Sequence, residues 1–462
     1  MTALWTSDEI AAATGGTASA PFKVTGVTFD SREVEPGTLF VAMPGTVHDG
    51  HQFVAQAFAQ GAAGALVSRP ADGPHVMVED VPAALEALGR AARDRVNAVV
   101  IGVTGSVGKT STKEALFAAL DRCAPGRVHR SVKSYNNHTG VPLSLARMPR
   151  DSHYAVLEMG MNHAGEIGAL TRLVRPHVAL VTAIAPAHIE NLGSMEAIAD
   201  AKAEIYEGLE PEGTAIMPND TPHRDRLLRA ARRHAESIVT FGSGDADVHA
   251  KHAVTADGGG SLITAALLGS DLTFTISQRG DHWVSNALAV LAAVEAVGGD
   301  LAVAGLALAD MGGLKGRGER HHIPLDGGEA LLIDESYNAN PASMAATLKS
   351  LGAENVAGRR IAVLGPMREL GEQGPALHAA LAEPVRAASV DEVILVGEDM
   401  RPLADALDSS FHVTLVDSVE AATDALVAML RPGDAVLVKA SNSIGLARLV
   451  ERVAGGLATC ST

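Results

Sequence analysis

The chain has 462 residues, enough for about two to four domains at roughly 100–200 residues each, which excludes a mini-protein. A hydrophobic fraction of 47% beside 20% charged and 3% aromatic residues is that of a soluble globular protein whose cores are built from Ala, Val, Leu and Ile. With 37 bases against 54 acids the net charge is -17, which repels polyanions and excludes a general nucleic-acid binder. Cys123 and Cys460 are the only cysteines, too few for a disulfide framework or a cysteine metal site, and they point to a reducing compartment. Met1 to Gly16 carries Asp8 and Glu9 and no basic, apolar leader. The apolar stretch Ala287 to Val297 is interrupted by Glu295 and falls short of the ~20 residues of a membrane span. The expectation is a cytoplasmic, monomeric protein with no membrane span.

Up to residue 97, short β-like runs (Lys23 to Phe29, Thr38 to Met43, Ala65 to Ser68, Val76 to Val78) alternate with Ala-rich helical stretches (Phe53 to Gln60, Val81 to Arg93). Residues 1–97 therefore read as a small α/β domain. From Ala98 to Val103 a continuous apolar run enters a Gly-rich turn and then a helix, Lys109 to Leu120. Further apolar strands follow at Tyr154 to Leu157, Val178 to Ile184 and Thr214 to Met217. Near-continuous runs separated by helices predict a mainly parallel sheet covered on both faces, over residues 98–314. The Gly-rich segment Met311 to Gly318 marks the next boundary. Beyond it, Ala330 to Ile333, Ile361 to Leu364, Val393 to Val396 and Ala435 to Val438 are strands with helices between them, a Rossmann-like α/β unit over 315–462. The predicted fold class is α/β in three domains.

Gly102-Val103-Thr104-Gly105-Ser106-Val107-Gly108-Lys109-Thr110 lies between a buried strand and a helix, where a phosphate-binding loop belongs. Backbone amides and the helix N-terminus offer donors to an anion, Lys109 reaches the β- and γ-phosphates, and the Thr110 hydroxyl binds Mg2+. The spacing is a variant, because Val103 stands where the general pattern has its first Gly. Such a loop leaves kinases, GTPases and ATP-driven ligases all open. Glu158 ends a strand at the carboxyl edge of the sheet, placed to hold a metal ion beside the phosphates. His188 follows the apolar strand Val178 to Ile184, and on its own it reads as an ordinary loop histidine.

These residues resemble the Mur ligases, ATP-dependent amide-forming enzymes of bacterial cell-wall synthesis, over essentially the whole chain. The resemblance rests on Thr104 to Thr110, Tyr135-Asn136-Asn137-His138-Thr139-Gly140-Val141-Pro142, Glu158-Met159-Gly160, His188, Ala201-Lys202-Ala203-Glu204-Ile205 and Asn286. Asp334-Glu335-Ser336-Tyr337-Asn338-Ala339-Asn340-Pro341, and Leu364 to Gly371 with His378, are similar to the branch that adds D-alanyl-D-alanine. The resemblance implies a ligase that joins D-alanyl-D-alanine to UDP-N-acetylmuramoyl-tripeptide with ATP and Mg2+, through an acyl phosphate. It implies ATP contacts at Thr104, Gly105, Ser106, Val107, Gly108, Lys109, Thr110, Ser111, Asn286, Arg317, Glu335 and Asn340. The implied metal ligands are Thr110, Glu158, His188 and a carbamylated Lys202, and the implied catalytic set is Lys109, Glu158, His188, Lys202 and Arg317. Ser31, Arg32, Asp49 and His51 would receive the uridine diphosphate end, and Asn136, Asn137 and Thr139 would face the muramoyl-peptide. Read without the resemblance, Lys202 lies in a helical stretch, Met195 to Leu209, as a solvated lysine paired with Glu204 or Asp200. Arg320 competes with Arg317 for its role. The same residues leave open another Mur-type amide ligase, one adding the third residue or related to folylpolyglutamate synthase, or a P-loop switch that performs no ligation.

Overall fold

The computed structural model describes residues 3–45, 48–187, 189–256 and 260–456. His188 and Cys460 lie outside the described residues. Three α/β bodies follow one another along the chain, each built on its own larger sheet.

The first carries a five-stranded sheet in the order Thr17–Ala18, His75–Met77, Gly64–Val67, Thr38–Val41, Gly26–Thr28, parallel except for Thr17–Ala18. The run Lys23 to Phe29, expected as one strand, is two. Lys23–Val24 pairs antiparallel with Trp5–Thr6, while Gly26–Thr28 joins the larger sheet. Val24 and Val27 are both buried in one core cluster. Residues three apart point to opposite faces of a continuous strand, so the strand must break between them.

The second body is a nine-stranded sheet in the order Asp271–Ile276, Ser261–Ala266, Val248–Thr255, Ser237–Gly242, Thr214–Pro218, Val178–Val181, Val99–Thr104, Tyr154–Glu158, Val128–Arg130. Seven of these strands pair in parallel as the apolar runs predicted, but the two pairings at the Asp271–Ile276 edge are antiparallel. The connections there are hairpin-short, too short for the crossover that a parallel neighbour needs. Alternate residues of Val99–Thr104 enter opposite cores: Ile101 and Val103 pack with Leu116, Leu120 and Leu291, and Val100 packs with Leu157 and Leu173. That two-sided burial explains the unbroken apolar run. The stretch Met195 to Leu209 is an α-helix only over Met195–Ala203 and tightens to a 3-10 turn over Glu204–Gly208.

The third body is a six-stranded sheet in the order Glu319–Leu325, Gly328–Glu335, Ala435–Lys439, Arg360–Leu364, Glu392–Val396, His412–Val416, parallel beyond its first hairpin. The connection from the second body turns at Gly316, whose φ of +73° suits glycine and where a Cβ would lie 2.8 Å from that of Tyr337. Among the described residues no helix is long and apolar enough to cross a membrane.

Candidate active site

Val99–Thr104 runs between Tyr154–Glu158 and Val178–Val181, and its carboxyl end opens into the loop 105–108. Gly105 takes φ +147°, and a Cβ on it would stand 2.0 Å from the Thr182 hydroxyl oxygen; Gly108 takes φ +85° against the Asn286 side chain. Both positions therefore require glycine. Gly102 lies inside the strand, where a Cβ would strike the Met159 side chain, so it belongs to sheet packing and the loop proper starts later than in the general pattern.

The helix Lys109–Cys123 has no side-chain cap. Some other helices start with one, from Thr6, Asp80, Ser194 and Asp300, while Glu166–Val174 and Asp281–Ala296 also lack it. The Thr104 and Ser106 hydroxyls are buried with no hydrogen-bond partner among the described residues. Uncapped amides and unpartnered hydroxyls around one loop form a donor set for an anion's oxygens. Lys109 Nζ donates to the Gly105 carbonyl at 2.6 Å. Desolvation pushes its ammonium below the ordinary lysine range, and the Glu158 carboxylate opposes that shift.

Glu158 is buried. One carboxylate oxygen accepts from the Thr110 hydroxyl at 2.9 Å and the other from Asn136 Nδ2 at 2.7 Å, while its amide donates to the Ser131 hydroxyl oxygen at 3.0 Å. The Thr110 hydroxyl and the Glu158 carboxylate thus form an oxygen pair of the kind that a hard divalent cation takes. Lys202 is fully buried and its Nζ has no hydrogen-bond partner among the described residues. This corrects the solvated reading: Glu204 accepts instead from the Gly165 and Gly168 amides, and Asp200 pairs with Arg226 at 2.7 Å. Burial, and then the positive charge of Lys109, hold the Lys202 amine well below its usual range.

The third body closes the opposite wall of a cleft of about 600 Å³. Arg317 lines it, its guanidinium 4.4 Å from the centroid of the Tyr337 ring. Arg320 does not compete, because it donates to the buried Glu354 carboxylate at 2.9 and 2.7 Å. Glu335 and Lys439 face each other at 3.4 Å, and Lys439 Nζ donates to the Asn338 carbonyl at 2.9 Å. Burial lowers the Lys439 ammonium, with Glu335 countering. Asn340 lines the cleft but its side-chain oxygen caps the helix Pro341–Gly352, accepting from the Ser343 amide at 2.9 Å, so the turn chemistry of Asn-Ala-Asn-Pro is real. Asn286 lies on the same wall as Trp283 and His282. Burial, and then Lys439, push the His282 ring down to about 4, which leaves it neutral at pH 7.

Asn136 and Asn137 line the cleft. Asn137 Oδ1 also accepts from the Thr139 hydroxyl at 3.0 Å and the Gly140 amide at 2.9 Å, holding the start of the next helix. Ser31 and Arg32 lie on a 3-10 turn of the first body. The Arg32 side chain is 85% exposed and pairs with Asp30 at 2.6 Å. Its hydrogen bonds to the Asp30 carboxylate hold that group down at about 2. The neighbouring Glu33 contacts Lys133 and Tyr135, which brings this turn beside the segment that carries Asn136. His51 Nδ1 donates to Asp49 at 2.8 Å, and its Nε2 accepts from the Ser68 amide at 2.9 Å, the pattern of a neutral ring. Of the expected residues, Thr104, Gly105, Ser31, Arg32, Asp49, His51, Thr139 and Lys202 stand outside the cleft lining. Tyr337, Lys439, Trp283, His282 and Ser134 line it without having been assigned a part. Tyr337 stood inside the quoted Asp334 to Pro341 segment, whereas Lys439 was hidden at the end of an ordinary apolar strand.

Three family models cover most of the chain: "Mur ligase family, catalytic domain" over residues 23–99, "Mur ligase middle domain" over 103–294, and "Mur ligase, glutamate ligase domain" over 316–442. The chain belongs to the Mur ligase family. Its relatives narrow the branch. It is 35% identical to the UDP-N-acetylmuramoyl-tripeptide--D-alanyl-D-alanine ligase of Synechocystis sp., covering 94% of this chain and 93% of that one. To the Escherichia coli enzyme of the same name it is 37% identical over 84% of each. A MurF crystal structure from Acinetobacter baumannii superposes with a TM-score of 0.84 at 30% identity, covering 98% and 99% of the two chains. The MurF ligase of Thermotoga maritima in complex with ADP gives 0.77 at 26% identity, over 94% and 97%.

Proposed function

We infer that this chain is an ATP-dependent ligase that joins D-alanyl-D-alanine to UDP-N-acetylmuramoyl-tripeptide in the making of peptidoglycan precursors. The observation that carries the reading is the shared cleft. The phosphate loop with Lys109, Thr110 and Glu158 comes from the second body, and Arg317, Glu335 and Lys439 come from the third. A nucleotide switch has no need of that second wall.

A carboxylate cannot be attacked by an amine directly, because oxide is too poor a leaving group. The tripeptide's terminal carboxylate oxygen attacks the γ-phosphorus of ATP, and ADP leaves. The free amine of D-alanyl-D-alanine then attacks the acyl carbon, and phosphate departs with one of the original carboxylate oxygens. The protein must bring two anions together in an acidic chain. Lys109 and the uncapped helix start receive the phosphates, and Arg317, held over the Tyr337 ring, supplies charge from the facing wall. Thr110 and Glu158 would hold Mg2+, which when bound offsets phosphate charge. Trp283, His282 and Asn286 give aromatic faces and an amide suited to a purine. Lys202 is proposed to be carbamylated: its buried, unpartnered and depressed amine can react with CO2, and the resulting carbamate is an anionic oxygen donor for a second metal site together with His188. The turn of Ser31 and Arg32, with Asp49 and His51, is proposed for the uridine diphosphate end, supported by its link to the Asn136 segment. The residues that line the cleft all come from one chain, in keeping with a monomer.

The test is phosphate release by the purified protein with Mg2+, ATP and UDP-N-acetylmuramoyl-tripeptide, with and without D-alanyl-D-alanine. Strong dependence on the dipeptide is expected; amine-independent release would favour the switch.

A further inference from the structure

Lys113 is fully buried one helical turn beyond Lys109 and Thr110, and nothing above gives it a part. Its ammonium donates to the Ser131 carbonyl at 3.1 Å and the Lys133 carbonyl at 2.5 Å, and it pairs with the Glu114 carboxylate at 2.9 Å. Burying a cation is costly, and a Met or Leu at this helix position would pack with no such cost. The two carbonyls belong to a strained turn, for Lys133 takes φ +51°, a left-handed conformation disfavoured for a side chain of this kind. Residues of this turn reach the cleft from both sides. The Ser131 hydroxyl accepts from the Glu158 amide, and Asn136 donates to the Glu158 carboxylate. The Ser134 hydroxyl contacts the Tyr337 hydroxyl, whose ring lies beneath Arg317.

We propose that Lys113 is a positioning residue: it clamps the turn 131–136 so that Ser131 and Asn136 fix Glu158, and Ser134 meets the wall that carries Arg317. The proposal rests on the reading of Glu158 as a ligand of the nucleotide-bound metal. It explains a strained turn where the helix Lys109–Cys123, the strand-end acid and the third body meet. It also explains why a charged residue is buried there, since one ammonium satisfies two carbonyls that a tight turn leaves without ladder partners.

Two variants test it: Lys113→Met, which keeps the length and removes the donors, and Ser131→Ala, which keeps the clamp and cuts the link to the Glu158 amide. In the ligand-free protein, Lys113→Met should lower hydrogen-exchange protection of amides 131–136 at least about tenfold while leaving strand 99–104 protected. Calorimetry should show ADP with Mg2+ binding about 10–100-fold more weakly to both variants, with ADP alone bound within about twofold of the parent. Lost protection with unchanged Mg2+-dependent binding would reduce Lys113 to a structural clamp and overturn the proposal, as would unchanged protection. If Lys113→Met does not fold, Ser131→Ala decides, because unaltered Mg2+-dependent binding there overturns the link to Glu158. A parent protein that shows no D-alanyl-D-alanine-dependent phosphate release would instead overturn the functional reading, and exchange protection would still judge the clamp.

Discussion

Lys202→Met should make the protein more stable and less active at once. Lys202 is fully buried and its amine has no partner among the described residues, and an unsatisfied buried donor costs about 1–3 kcal/mol. Met is close in volume, so little repacking penalty offsets the gain. At about 2–4 °C per kcal/mol for a domain of this size, the melting temperature should rise by roughly 2–12 °C. The pH dependence has a definite sign. The folded amine sits well below the ordinary value of 10.5, so at neutral pH the unfolded chain binds more protons and the parent's stability rises with pH. The advantage of Met is therefore largest at low pH and shrinks as pH approaches 10.5. The assay is calorimetric unfolding of both proteins in carbon dioxide-free buffer at pH 7 and pH 9, beside dipeptide-dependent phosphate release. An unchanged or lower melting temperature would refute the reasoning, because the amine would then have a favourable partner. For activity, Lys202→Ala should be nearly inactive and partly rescued by small carboxylic acids that fill the place of a carbamate; full activity without additive would remove Lys202 from the site.

Lys109→Ala should reduce turnover by about a thousandfold with the fold intact by circular dichroism, since it removes the loop's fixed charge; near-normal turnover would sink the phosphate-loop role. Oxygen-18 placed in the tripeptide's terminal carboxylate should appear in the released phosphate by mass spectrometry, and unlabelled phosphate would refute the acyl-phosphate route. Glu354→Gln should cost about 2 kcal/mol and widen the distribution of interdomain angles in small-angle scattering. Its buried carboxylate accepts from Arg279 of the second body at 2.8 Å and from Arg320 of the third. Unaltered melting and scattering would show that this triad does not hold the two bodies together.

The strand, loop and helix proposed to hold the phosphates were legible in the sequence because their parts are chain neighbours. Gly105 and Gly108 mark backbone that a side chain cannot occupy, and Lys109 and Thr110 follow at fixed spacing after an apolar strand. The parallel core was legible for a related reason, since strands buried on both faces must be apolar at every position. The two strands at the antiparallel sheet edge were not foreseen, because half-exposed strands such as Ser261–Ala266 and Asp271–Ile276 carry no unbroken apolar signal. Nor could the sequence separate Arg317 from Arg320. Three residues apart, they differ only in what lies across from each: the Tyr337 ring and the cleft for one, the buried Glu354 for the other. Nothing in their local sequence marks Lys202, Lys113 and Lys439 as buried, yet all three are, and burial is set by which distant elements pack above a residue. Local geometry and periodicity are written in nearest neighbours along the chain. Which cation keeps its water, which one loses it, and which carboxylate it then meets are decided only when the three bodies fold and pack.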